Sequence, residues 1–128
     1  MKLKLNLLLF ATIATSIVPV ASNGADAQNG IASIYSTREG SARTASGIRL
    51  DDKELTAAHR SLPFGSKVRV TNAKNGQSVT VIVTDRGPYV RGRVIDLTPA
   101  AAHALGFNGL APVTLRVGEA ARAEDEAD

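Results

Sequence analysis

Residues 79–97, VTVIVTDRGPYVRGRVIDL, decide the fold of this chain. Val79, Val81 and Val83 fall on one side of an extended segment and Thr80, Ile82 and Thr84 on the other. A period of two built from β-branched residues predicts a strand. Continuing that parity puts Asp85 on the valine side, where the strand runs out. Arg86-Gly87-Pro88 then stops the ladder, because glycine permits unusual backbone angles and proline has no N–H to donate. A second apolar burst, Val94-Ile95, ends in Asp96-Leu97. Two carboxylates therefore stand at the ends of apolar runs, joined by a loop carrying Arg86, Arg91 and Arg93. Carboxylates half-withdrawn from water beside cations are what a tuned acid site needs. The same residues also suit a plain turn in which Asp85 accepts backbone N–H bonds and Arg86 is solvated.

Working outward, residues 67–71 alternate as well, with Val68 and Val70 inward and Lys67, Arg69 and Thr71 outward. The loop NAKNG at 72–76 joins them to a returning strand at 77–84, its Asn75-Gly76 pair tolerating positive φ. Upstream, GIASIYS at 30–36 reads as a short strand with Ile31, Ser33 and Tyr35 on one side. A polar loop at 37–47 and a turn or short strand at 48–54 follow, then residues 55–58 lead into His59. Leu62-Pro63-Phe64-Gly65 is an extended connection with a turn. Downstream, Thr98 suits a helix N-cap, Pro99 the first helical position and Gly106 the stop after residues 100–105. Residues 111–117 close the domain with Val113, Leu115 and Val117 on one face. Short strands and one brief helix predict an all-β barrel or sandwich.

Composition narrows the class. Lys2 and Lys4, an apolar run over 5–20 and the Ala25-Asp26-Ala27 signal read as a secretory signal peptide over 1–27, cut after Ala27 or after Ala21. With no cysteine, the exported fold must rest on its own core, and neither a lipid-bearing cysteine nor a thiolate metal site exists in this sequence. Residues 30–117 hold twelve Lys/Arg against six Asp/Glu, a net of +6, while the tail at 119–128 is acidic and is expected to be disordered. A basic exported domain with no RNA-binding signature points away from nucleic acid and toward an anionic wall polymer.

Taken in order, GIASIY, RTASG at 43–47, LTAAHR at 55–60, LPFG at 62–65, the run at 68–72, TDRGP at 84–88, GRVIDL at 92–97 and the alanine-rich helix resemble the rare lipoprotein A (RlpA) family over residues 30–117. The resemblance implies a small six-stranded double-psi β-barrel over 28–118. It also implies a lytic transglycosylase that cleaves peptidoglycan glycan strands and leaves 1,6-anhydro ends. By position, His59 and Asp85 match the family's catalytic pair, and Asp96 a site-lining residue. Ile48 stands where the family has a Glu; there is no lipobox cysteine and no peptidoglycan-binding repeat after Val117. The expected protein is thus a soluble monomer of the bacterial periplasm, without cofactor, metal or lasting membrane anchor. A wall amidase or division proteins would be its protein partners.

In that reading Asp85 serves as acid and then base, while His59 holds Asp85 or the muramoyl oxygen by hydrogen bond or shares the proton work. Tyr35, Phe64 and Tyr89 are candidate sugar platforms. Arg43, Arg86 and Arg91 are candidate partners for the lactyl carboxylates of muramic acid. Three rivals stand beside it: a non-catalytic, expansin-like glycan-binding module, which Ile48 favours; a metal hydrolase built on His59, Asp85 and Asp96; and a division-site scaffold, for which the sequence offers no helical or apolar partner stripe.

Overall fold

Alternation of β-branched residues builds the walls of the molecule. The computed structural model describes residues 27–38 and 42–118; the remainder of the expected signal peptide and the acidic tail lie outside the described residues. The element order is β1 (Gln28–Ile34), β2 (Thr56–Ala58), β3 (Lys67–Asn72), β4 (Ser78–Asp85), β5 (Arg93–Leu97), α1 (Pro99–Leu105) and β6 (Ala111–Val117). The six strands close into a barrel in the order β1-β5-β2-β4-β3-β6. β1 lies parallel to β5 and β2 parallel to β4, and the other pairings are antiparallel. Closure leaves no open sheet edge. Of the two architectures that strand patterning alone allowed, the barrel is the one formed.

The β3–β4 hairpin follows its local code. Val68 pairs with Val81 and Val70 with Val79, and Gly76 takes φ 78° in the turn. The turn is fastened to the helix: the side-chain amides of Asn72 and Asn75 donate to the Leu105 carbonyl at 2.8 and 3.0 Å. That carbonyl belongs to the last helical turn and has no intrahelical partner of its own. Gly106 ends the helix in the left-handed region at φ 75°, and a Cβ there would meet Gln77 Oε1 at 2.7 Å. At the other end Thr98 accepts from the Ala101 amide and donates to the Glu54 carbonyl, so one hydroxyl caps the helix and ties down the loop before β2. Val68, Val70, Val81, Val83, Ile95, Leu97, Val113 and Leu115 fill the interior with Ala101 and Leu105 of the helix.

One reading of the strand pattern is corrected. Ala57 pairs with Val83, but Ala58 pairs with Asp85, and the register shift between them skips Thr84. Cross-strand partners share a face of a sheet. Val83 therefore stays with the core-facing Ala57, while Asp85 turns to the opposite face with Ala58. A bulge reverses the parity that simple alternation predicts.

β1 and β5 approach closely at Gly30. A Cβ at this position would stand 2.8 Å from Val94 Cγ2 and nearer still to Cγ1, and a valine has little rotamer freedom with which to yield. Gly30→Ala is expected to cost about 1–3 kcal/mol in urea unfolding. Adding Val94→Ala should recover part of the loss, giving a double mutant more stable than the two single losses summed.

Candidate functional site

The reversed parity assembles a row of residues across four strands. Asp85 on β4 pairs with Ala58 on β2, Ala58 with Asp96 on β5, and Asp96 with Ser33 on β1. All four share the face opposite Ala57, Val83 and Leu97. Strand spacing separates the two aspartate Cα atoms by about 10 Å, with Ala58 on the strand between them. The Ser33 hydroxyl donates to Asp96 Oδ1. Asp85 Oδ1 accepts from the Ala45 amide and from the Arg86 amide, each at 2.9 Å. The loop before β2 is held to the end of β4 as well, the Ser46 amide donating to the Thr84 carbonyl.

Tyr35 follows β1 and donates its amide to the Leu97 carbonyl. Its hydroxyl oxygen is buried and has no hydrogen-bond partner of ordinary geometry among the described residues. Burial raises the phenol well above its usual range; the charge of Asp85 and, more weakly, of Asp96 add to this, while the nearby Thr84 hydroxyl pulls the other way without completing a bond of ordinary geometry. The ring is half-buried, so Tyr35 offers a sugar less open face than a platform residue would.

His59 comes close to Asp85 through the backbone, its amide donating to the Asp85 carbonyl at 3.1 Å. Of the alternatives expected for His59, a direct bond from imidazole to the Asp85 carboxylate does not form. Nδ1 accepts from the Ser61 and Leu62 amides at 3.1 and 3.2 Å, and Nε2 lies 3.0 Å from Gln28 Oε1. An acceptor Nδ1 fixes the proton on Nε2, which donates to Gln28. Burial first, then Arg60 and Arg86, holds the imidazole below its ordinary pKa. The turn that His59 caps presents the His59 and Leu62 carbonyls to Arg86, whose Nη1 donates to them at 3.2 and 2.9 Å. The same guanidinium lies 4.0 Å over the Phe64 ring. Arg86 is therefore a strut between the β4–β5 loop and residues 59–64, and Phe64 has one face covered.

Tyr89 is 73% exposed, and Arg91 is exposed beside it. Arg43 is exposed too and donates to the Gly47 carbonyl at 3.0 Å. An open cleft of about 850 Å³ runs along residues 48–54 with Thr37, Thr56, Ile82 and Thr84. The cleft lies beside the end of β4 that carries Asp85, and Asp51, Asp52 and Glu54 line it with carboxylates of its own. Among the described residues no group of three His, Asp or Glu side chains converges to hold a metal ion. Ser33, Gln28 and the Ala45 amide join the site without having been singled out in the sequence. Ser33 alone left a trace there, as a small polar residue inside an apolar strand.

Comparison with known proteins adds four matches. The family profile described as lytic transglycolase matches residues 27–115. A protein of Nostoc sp. named "Probable endolytic peptidoglycan transglycosylase RlpA" is 55% identical over 92 residues, which cover 69% of this chain and 25% of that protein. The "Endolytic peptidoglycan transglycosylase RlpA" of Neisseria meningitidis serogroup A is 52% identical over 80 residues, covering 62% of this chain and 34% of that protein. The chain thus spans about a quarter to a third of the length of these relatives. Among solved structures, the apo expansin of Clavibacter michiganensis superposes with a TM-score of 0.57 at 24% identity, over 73% of this chain and 50% of that one, a likeness of fold.

Two outcomes follow from the His59–Arg86 network. Arg86→Ala leaves two carbonyls without their donor and is expected to lower unfolding free energy by about 2 kcal/mol in denaturant titration. Because the folded imidazole sits below the unfolded value of 6.5, the unfolded chain binds more protons just under that pH. Stability from His59 is therefore complete above pH 6.5 and lost as pH falls through the folded value. The melting temperature should decline over that window in the wild type, and this component should vanish in His59→Asn.

Proposed function

The chain belongs to the lytic transglycolase family, and from that membership we propose that it cleaves peptidoglycan glycan strands between N-acetylmuramic acid and N-acetylglucosamine, remodelling the cell wall. The observation that carries this reading is the row in which Asp85 and Asp96 flank Ala58 on one barrel face. Asp85 in its acid form gives a proton to the glycosidic oxygen as the bond from C1 breaks. The resulting carboxylate then takes the proton of the same muramoyl unit's C6 hydroxyl, and O6 closes on C1 to form the 1,6-anhydro ring. The carboxyl is regenerated and no water is consumed, so one group does both jobs. Asp96, steadied by Ser33, stabilises the positive charge that develops at C1.

His59 acts in this account as a positioning residue, holding the turn that holds Arg86 beside Asp85. Of its ring nitrogens only Nε2 is available to a sugar oxygen, and only if the substrate displaces the exposed Gln28. Tyr89 supplies an exposed aromatic face, and Arg43 and Arg91 supply charge for muramoyl carboxylates. Such a substrate lies outside the cytoplasmic membrane, in keeping with export to the cell envelope. Among the described residues no helix is long and apolar enough to cross a membrane.

A second reading, binding without cleavage, is favoured by one observation. Ile48 is 59% exposed and lines the neighbouring cleft, in the position where the family resemblance has a carboxylate. Removal of the proton-carrying group separates the two. Asp85→Asn is expected to lower release of anhydro-ended fragments from peptide-stripped sacculi by about a hundredfold or more while leaving sedimentation with the sacculi intact. Undiminished release by the variant would remove Asp85 from the chemistry.

A further inference from the structure

Among the described residues, one buried side-chain polar atom lacks a hydrogen-bond partner of ordinary geometry, and the mechanism above does not use it. The Tyr35 hydroxyl is sealed from solvent with no partner of ordinary geometry among the described residues, although a phenol hydroxyl in a barrel wall nearly always finds one. An unpaired buried hydroxyl is costly, and phenylalanine would keep the ring and shed the cost. The surroundings explain why a donor here is useful. Tyr35 is tied to the end of β5 by its amide bond to the Leu97 carbonyl, next to Asp96. Asp85 and Asp96 lie two strands apart in one row, with Ala58 on the strand between them. Thr84, next to Asp85 in the chain, stands beside the phenol.

We propose that Tyr35 is a positioning residue for the carboxylate pair, its hydroxyl being a donor held in reserve for the aspartate that becomes ionised during cleavage. This rests on the reading that Asp85 carries the proton. When Asp85 gives its proton to the glycosidic oxygen, the new carboxylate needs a hydrogen bond, and Oδ1 is already engaged by the Ala45 and Arg86 amides. In this step the phenol turns so that its O–H donates to Oδ2. The bond lapses when the C6 hydroxyl returns a proton to Asp85. Tyr35 keeps its own proton throughout, since burial between two anions disfavours the phenolate. The groups that act on the phenol are Asp85 and Thr84 from β4 and Asp96 from β5; Ser33, on its own strand, is engaged with Asp96.

The test compares wild type, Tyr35→Phe and Asp85→Asn on soluble, peptide-free glycan strands. Tyr35→Phe is expected to lower kcat about tenfold with KM within about twofold, the size of one hydrogen bond to a charged group. Loss of a donor to the ionised form should move the limb of the pH–rate profile governed by the pair toward higher pH. The melting temperature should hold or rise, because only an unpaired hydroxyl is removed. Wild-type kcat with an unmoved profile in Tyr35→Phe, beside an inactive Asp85→Asn, would overturn this inference alone. Full activity in Asp85→Asn would overturn the mechanism beneath it. A lost kcat accompanied by a lowered melting temperature would assign Tyr35 a structural role instead. Should Tyr35→Phe not fold, a ring-fluorinated tyrosine at position 35, a stronger donor of nearly the same size, must shift the pH limb in the opposite direction, and an unmoved limb counts against the proposal.

Discussion

The one-residue slip between β2 and β4 is the constraint on which the rest of the molecule depends. Had alternation continued unbroken, Asp85 would share the face of Val83 and point into an interior of valine, leucine and isoleucine. A carboxylate there would face the full cost of desolvation without a cation to offset it. Skipping Thr84 instead moves the side chain to the face of Ala58, within reach of the Ala45 amide. The closed barrel supplies the remainder. Because β2 is sandwiched between β4 and β5, a residue placed opposite Ala58 on one side is automatically in line with Asp96 on the other.

A second network keeps that row in place. The imidazole of His59, neutral and locked by two backbone amides, shapes a turn whose carbonyls receive Arg86. Arg86 follows Asp85 directly in the chain and rests on Phe64, so charge, hydrogen bonding and aromatic packing fix the strand end together. Histidine and aspartate sit close through the backbone and yet do different work. One organises the loop, and the other presents a carboxylate.

Much of the architecture is written locally and could be read locally. The β3–β4 hairpin, the Thr98 and Gly106 caps and the closing strand depend on period, turn chemistry and capping, all of which are visible within a few residues. What the strand pattern could not reveal is non-local. The parallel pairings of β1 with β5 and β2 with β4 join segments dozens of residues apart, and their registers carry bulges that alternation does not announce. For that reason parity put Asp85 on the wrong face, and Ser33 showed no link to Asp96. Motif matching brought His59 and Asp85 into one neighbourhood, but the tautomer and partners of the imidazole depend on Gln28 and on two backbone amides that no spacing rule names. Arg86 and Phe64 were singled out for ligand contact, and the fold employs them first on each other.

The fate of C1 in the cleaved sugar decides whether one carboxyl acts twice, because that chemistry requires the ring to close on its own hydroxyl. Mass analysis of the fragments that the protein releases from purified, peptide-free glycan strands reads this directly. Muramoyl ends lighter by one water than ordinary reducing ends are the expected result. Ordinary reducing ends would mean that water attacks and that Asp85 and Asp96 work as a hydrolytic pair, and strands bound without any new ends would leave a binding module in place of an enzyme.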